Sequence, residues 1–501
     1  MKQSLRPHIA RKQHFLERGT SIMTNQTQKA YKKLGVNISL FSISSFGTKL
    51  ISYFLVPLYT NCLSTAEYGT VDMLGVIVQL LVPVFTFDIA DAVIRYTLDE
   101  NESKAQIFLI GMKIIALGST ILVALLFAAK ATGLLPISTG YCLFVFSSFF
   151  LTSIYTTMTN YFKGRDRVGD IVIAGLLCSL TNCLLNLVFL LKYKMGIPGY
   201  LYANLLSLFI PVVFLVVQAI RYGFLGYKNK LSIDRQLQAK MLKYSMPLIV
   251  NGLSWWINNS LDRFFVNSIC GIEANGLLAV AYKIPSILSM FQTIFNQAWT
   301  MSAVQEFDPR DEKGFISNIY NSYSCAMSIA CGGLLIMNIP LAILLYKKDF
   351  FVAWNYTGFL ILSSLIGAMS ICISGVFNAV KDSKSLGFST LAGAIVNTAL
   401  NATLIPVYGV TGAVLATLVS NVVIWIYRMI KVRQYATLKL NLRHDIIAYL
   451  LLLAMCACGL TETHLYPVQV VCMFIIILLY QSVLKGWLLT AKKWIMPAEK
   501  A

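Results

Sequence analysis

Apolar runs of about twenty residues, separated by short polar breaks, recur from residue 34 to residue 488. A helix needs about 20 apolar residues to cross a hydrocarbon core of ~30 Å. Runs of that kind lie near 34–59, 70–95, 107–129, 138–161, 170–191, 197–220, 246–269, 276–304, 316–339, 356–379, 386–405, 409–430, 446–463 and 467–488. The pattern predicts an all-α polytopic membrane protein of about 14 transmembrane helices. Residues 1–33 are basic and contain no apolar stretch long enough for a signal peptide, which predicts a retained cytosolic tail. Met23 is an alternative start.

Composition fits lipid as the solvent. The chain is 57% hydrophobic and 13% charged, with a mean hydropathy of +0.68, whereas soluble domains carry about 25% charge. A net charge of +19 on a soluble protein would suggest nucleic acid. Here the Lys and Arg sit in short breaks between apolar runs, so no nucleic-acid partner is expected. With the N-terminus inside, 32 of the 41 fall on the cytosolic side and only Lys130, Lys192, Lys194, Lys347 and Lys348 on the outer side. That bias orients the spans and predicts both termini in the cytosol. The eleven cysteines lie almost entirely in apolar runs without a C-x-x-C pair, and the four histidines are far apart. Neither a metal site nor a catalytic residue is expected.

The two halves repeat weakly. Gly196-Ile197-Pro198-Gly199, with Ala203 and Ser207, matches Gly409-Val410-Thr411-Gly412, with Ala416 and Ser420, at an offset of 213. Glu67-Tyr68-Gly69 matches Ala274-Asn275-Gly276 at 207, and Arg165-Asp166 matches Lys381-Asp382 at 216. Six spans per repeat return the chain to its starting side, so the copies should be related by an axis along the membrane normal. This predicts a basic tail over 1–33, an N-lobe over 34–220, a cytosolic connection over 221–243 and a C-lobe over 244–432. A helix pair over 446–488 and a cytosolic tail over 489–501 follow.

Charges within spans usually face a cavity or a partner, because each costs ~2.5 to 3.5 kcal/mol on insertion scales. At 1.5 Å per residue, Lys49, Arg263 and Lys283 lie at similar depths, ~22, ~24 and ~20 Å from the inner side. Asn251, Trp255, Asn258 and Asp262 recur at helical spacing in span seven, with Trp256, Asn259 and Arg263 on the adjoining stripe. Tyr282 and Ser286 run beside Lys283, and Ser45 and Ser52 beside Lys49. Three polar faces suggest the walls of a wet cavity, with Lys49, Arg263 and Lys283 as an anion site and Trp255, Trp256, Asn259 and Tyr282 beside it. The plainer alternatives are an ion pair for Arg263, with Asp262 or a neighbouring helix, and contact with outer headgroups for Lys283. No Gly-x-x-x-x-Gly-Lys loop is present, so no cofactor is expected. An H+ or Na+ gradient would drive any uphill step, with Asp262 as the coupling carboxylate.

Four segments carry a family resemblance: Leu63-Ser64-Thr65-Ala66-Glu67-Tyr68-Gly69; the end of span two through Arg95-Tyr96; Tyr244-Ser245-Met246-Pro247-Leu248 leading to Asp262-Arg263; and Ala281-Tyr282-Lys283-Ile284-Pro285. In order and spacing they resemble the polysaccharide transporter, or Wzx-type oligosaccharide flippase, branch of the multidrug/oligosaccharidyl-lipid/polysaccharide exporter superfamily, over about residues 30–490. The resemblance implies a flippase that works by alternating access in a bacterial cytoplasmic (inner) membrane. Its substrate would be an undecaprenyl-pyrophosphate-linked oligosaccharide for O-antigen (lipopolysaccharide), capsule or exopolysaccharide assembly. Membrane lipids and other polysaccharide assembly proteins are the implied partners.

Two other readings compete. A multidrug or cation antiporter of the same superfamily would favour an acidic cavity, whereas Lys49, Arg263 and Lys283 here face Asp262. A polysaccharide polymerase or glycosyltransferase needs a sizeable outer loop or an Asp-x-Asp-type motif, and the outer loops are short. The expectation is therefore a transporter and not an enzyme.

Overall fold

The structure is a computed structural model that describes residue 47 and residues 51–99, 102–133, 138–224, 234–312, 314–459 and 466–495. Those residues form helices and short connections, without a strand. They are α1 (51–62), α2 (Thr65–Thr86), α3 (Ile89–Thr97), α4 (Lys104–Ala131), α5 (Thr139–Gly164), α6 (Val168–Asn186), α7 (Gly196–Arg221), α8 (Arg235–Cys270) and α9 (Ile272–Ala281). Then come α10 (Ser286–Gln305), α11 (Phe315–Ile336), α12 (Asn338–Leu345), α13 (Trp354–Ala379), α14 (Ser383–Tyr408), α15 (Val410–Val432), α16 (Leu442–Gly459), α17 (Tyr466–Leu479) and α18 (Gln481–Ile495). Ten helical segments among the described residues are long and apolar enough to span a membrane, or twelve if two bent pairs are each one span. The 36-residue α8 has the length for a span but is too polar to be among the twelve.

Local chemistry sets the ends. The Leu63–Gly69 segment contains a capping box: Glu67 N–H donates to Ser64 Oγ at 3.2 Å and Ser64 N–H donates to Glu67 Oε2 at 2.8 Å, so two otherwise orphaned donors are satisfied at the start of α2. The basic connection expected over 221–243 ends sooner, because Asp234 accepts from the N–H groups of Gln236 and Leu237 and starts α8 there. Leu237 and Met241, expected in that connection, are buried where α8 packs on α3 and α4. Span eight is not one straight rod: α9 and α10 meet at 51° across Tyr282–Pro285. Pro285 has no N–H to continue the ladder. The last pair, α17 and α18, bends by 65°.

Helices α3, α4 and α5 pack together, and α6 packs on α7. On the other side α15 lies between α13 and α14, α10 lies on α13, α8 on α14, and α16 and α17 on α11. The sides meet where α2 crosses α9. A Cβ placed on Gly69 would stand 2.1 Å from the Ile272 carbonyl oxygen, and one on Gly276 would stand 2.0 Å from that of Thr65. Both glycines therefore permit backbone contact that no other residue allows. Residues 65 and 272, like 69 and 276, are 207 positions apart. The contact is thus reciprocal between repeat-related positions, which is the signature of a local two-fold axis.

Candidate functional site

Helices α8, α10, α13, α14 and α15 surround a cavity of about 310 Å³, whose wall includes Asn259, Arg263, Tyr282, Ser363, Asn421 and Arg428. A wider cavity of about 770 Å³ adjoins it toward the start of α14, where Lys384, Ser383, Ser254 and Asn296 line it. The two share Ile371, Thr390 and Arg428.

At the deep end Arg263 is an ion-pair member. Its Nη1 donates to Asp72 Oδ1 of α2 at 3.0 Å, with both side chains 18% exposed. The Gly69–Gly276 contact positions Asp72, since Asn275 Nδ2 donates to Gly69 O at 3.1 Å and lies 3.5 Å from Asp72 Oδ2. Asp262 is buried behind the wall, where it accepts the Tyr282 hydroxyl at 2.7 Å and the Arg263 N–H at 2.9 Å. The α9–α10 elbow delivers Tyr282 to that carboxylate. Arg263 Nε has no hydrogen-bond partner among the described residues.

Of the residues expected from sequence, the structure brings Arg263, Asn259 and Tyr282 to one cavity wall, with Asp262 in contact through Tyr282. Trp256 turns the other way: its Nε1 donates to Val76 O of α2 at 3.0 Å, and its ring lies 5.4 Å from Phe264. Lys283 is not on this wall; its carbonyl accepts the Tyr53 hydroxyl of α1, which also lies 2.8 Å from Ser286 Oγ. Lys49 and the side chain of Trp255 lie outside the described residues.

Two residues that matter most here carried no expectation. Asp72 sits about two turns into α2 and gives Arg263 its partner; a carboxylate in an apolar run was the available signal. Arg428, grouped by sequence with the cytosolic cations, is 7% exposed. Its Nε donates to Ser389 Oγ at 2.9 Å, Nη1 to Ser370 O at 3.1 Å and Nη2 to Thr390 Oγ1 at 3.2 Å. The signal for it was a polar stripe, Thr417, Asn421 and Arg428, at intervals of four and seven.

A family model described as polysaccharide biosynthesis protein matches residues 34–300. An uncharacterized membrane protein of Methanocaldococcus jannaschii is 24% identical over 272 residues, 50% of this chain; the chain spans 62% of that relative's length. Among solved structures, the lipid II flippase MurJ in an inward closed conformation aligns with a TM-score of 0.66 at 14% identity, covering 90% of this chain and 99% of that one. An outward-facing multidrug resistance MATE family transporter of the MOP superfamily aligns at 0.52 and 16% identity, covering 79% and 95%. The likeness to these solved structures establishes the fold they share with this chain.

Proposed function

Since the chain belongs to the polysaccharide biosynthesis protein family, we propose that it is a flippase for an undecaprenyl-pyrophosphate-linked oligosaccharide, serving O-antigen, capsule or exopolysaccharide assembly in the inner membrane. The observation that carries this reading is the polar, arginine-bearing cavity between the helices, walled by hydroxyl and amide side chains. A cavity of that chemistry suits sugar hydroxyls and a charged diphosphate, while the lipid chain remains in the bilayer. The neighbouring fold of a lipid II flippase supports a lipid-linked substrate. Two lobes rock about the two-fold contact of α2 and α9, and both termini face the cytosol.

A second reading rests on Asp72 and Asp262, two carboxylates against one arginine at the deep end. With a MATE transporter also among the neighbours, export of an organic cation is the competing activity. Proteoliposomes separate the two: the flippase reading expects translocation of a defined lipid-linked oligosaccharide, and uptake of a cationic dye without it would overturn that reading.

Transport against a gradient draws on an H+ or Na+ gradient, with Asp262 as the coupling carboxylate. Among the described residues its oxygens accept hydrogen bonds from the Arg263 N–H and the Tyr282 hydroxyl, while the guanidinium beside it is held by Asp72. Asp262→Asn should abolish the dependence of transport on the gradient. Unchanged transport with unchanged gradient dependence would remove Asp262 from that role.

A further inference from the structure

The cavity's two arginines differ in how their charge is met. Arg263 has the Asp72 carboxylate at 3.0 Å, and Asp262 lies next to it in sequence. With both carboxylates ionised, this deep group is net negative. It therefore repels an anion unless another charge joins it. Arg428 meets only a carbonyl and two hydroxyls, and no carboxylate lies within ion-pair distance of it among the described residues. Three of its five N–H groups are used. A buried guanidinium without a counter-charge is costly, and an anion that replaces lost hydration relieves that cost.

The surroundings are built to receive such a group. Ser370 Oγ and Asn258 Oδ1, both from the same cavity wall, are buried without a hydrogen-bond partner among the described residues. Asn258 is anchored through Nδ2, which donates to Thr390 O at 3.3 Å, so its other end is available for a donor such as a sugar hydroxyl. Lys384, exposed at the start of α14, lies on the wider cavity that Arg428 shares, and adds a second positive charge along the approach.

We propose that Arg428, with Lys384 at the wider opening, is an anion station that takes a phosphate or diphosphate headgroup, and that the Asp72-paired Arg263 is not the primary anion anchor. The assignment rests on the flippase reading for the identity of the substrate, but not for the anion chemistry. The two unused N–H groups supply charge-assisted hydrogen bonds to phosphate oxygens. Lys384 attracts the headgroup from the wide end. Ser370 and Asn258 then hold what is attached to it.

The test uses the full-length chain in detergent, with inorganic pyrophosphate as the probe and calorimetry as the readout. Arg428→Gln should weaken binding by about tenfold or more, and Lys384→Gln by about threefold. Lys113→Ala, whose ammonium donates to Gln238 outside this cavity, should leave binding unchanged. Lys384→Gln alters an exposed side chain, so the proposal remains testable if Arg428→Gln does not fold. Competition by farnesyl pyrophosphate, with no effect of phosphatidylglycerol, places the headgroup on the isoprenoid substrate; competition by phosphatidylglycerol alone would assign the station to membrane lipid and overturn the substrate assignment. Wild-type pyrophosphate binding in a folded Arg428→Gln protein, or wild-type binding in Lys384→Gln where that protein does not fold, overturns the station itself even if oligosaccharide transport is confirmed. Arg428-dependent binding in a protein that transports no lipid-linked oligosaccharide would instead overturn the flippase reading and leave the anion chemistry standing.

Discussion

The deep and wide ends of the cavity each hold an arginine, and the two are chemically opposite. Arg263 is neutralised by Asp72, whereas Arg428 is held by Ser389, Thr390 and the Ser370 carbonyl. A paired cation contributes to fixing two helices against each other, here α8 against α2. An unpaired one retains its field for whatever enters. The number of cations at membrane depth therefore says little about anion binding until their partners are known.

The largest effect should come from removing the partner at the deep end. Asp72→Ala leaves the Arg263 guanidinium partly buried without its carboxylate, and loss of one member of such a pair costs about 3 kcal/mol or more. Thermal unfolding of the purified chain should show a clear drop for this variant. An added Arg263→Gln should recover much of the loss, because the uncompensated charge is then gone. If Asp72→Ala unfolds as the wild type does, the ion pair does not hold α2 to α8 and the contrast between the two arginines collapses.

A smaller effect is expected where the backbone positions that pair. Gly276→Ala would place a Cβ about 2.0 Å from the Thr65 carbonyl oxygen, so α9 must move off α2. Overpacking of this kind costs about 1 to 3 kcal/mol. Because Asn275 connects Gly69 to Asp72, the shift also loosens Arg263. Gly276→Ala and Asp72→Ala should thus be less than additive in a double-mutant cycle. Strict additivity would mean that the α2–α9 contact and the ion pair are independent.

Much of the all-helical architecture is legible in sequence, because apolar spans follow from run length, which is a local property. The repeat at 207 was legible for the same reason: Gly69 and Gly276 sit at equivalent places after equivalent spans. The site was less so. Depth at 1.5 Å per residue assumes a straight helix, and the 51° elbow at Tyr282–Pro285 invalidates that assumption for Lys283. Arg428 closes an apolar run near Lys431 and Arg433, so its position resembles that of any cytosolic cation. Its burial depends on Ser370 of α13 and Ser389 and Thr390 of α14, contacts that no single segment encodes.

The smallest effect tests whether neutral partners can hold a charge in water as they do at Arg428. Asp382 is the N-cap of α14, about two turns before Ser389, in the connection outside the spans. Its Oδ1 accepts the Ser385 N–H at 3.1 Å and its Oδ2 the Tyr435 hydroxyl at 2.6 Å. Hydrogen bonds from Ser385, then from Tyr435, lower its pKa from 3.8 to about 2, because they favour the ionised form. The same bond raises the Tyr435 phenol above its ordinary value. A carboxylate whose folded pKa is depressed stabilises the cap fully above its unfolded value near 3.8. That contribution is lost as pH falls from there through about 2. Tyr435→Phe removes one donor and should move the carboxyl titration of Asp382 upward, followed by carbon-detected NMR of labelled aspartate. The acid limb of α14 opening should move to higher pH with it. A titration that does not move would show that the Tyr435 bond does not hold this carboxylate in its charged form, and with it would go the parallel to Arg428.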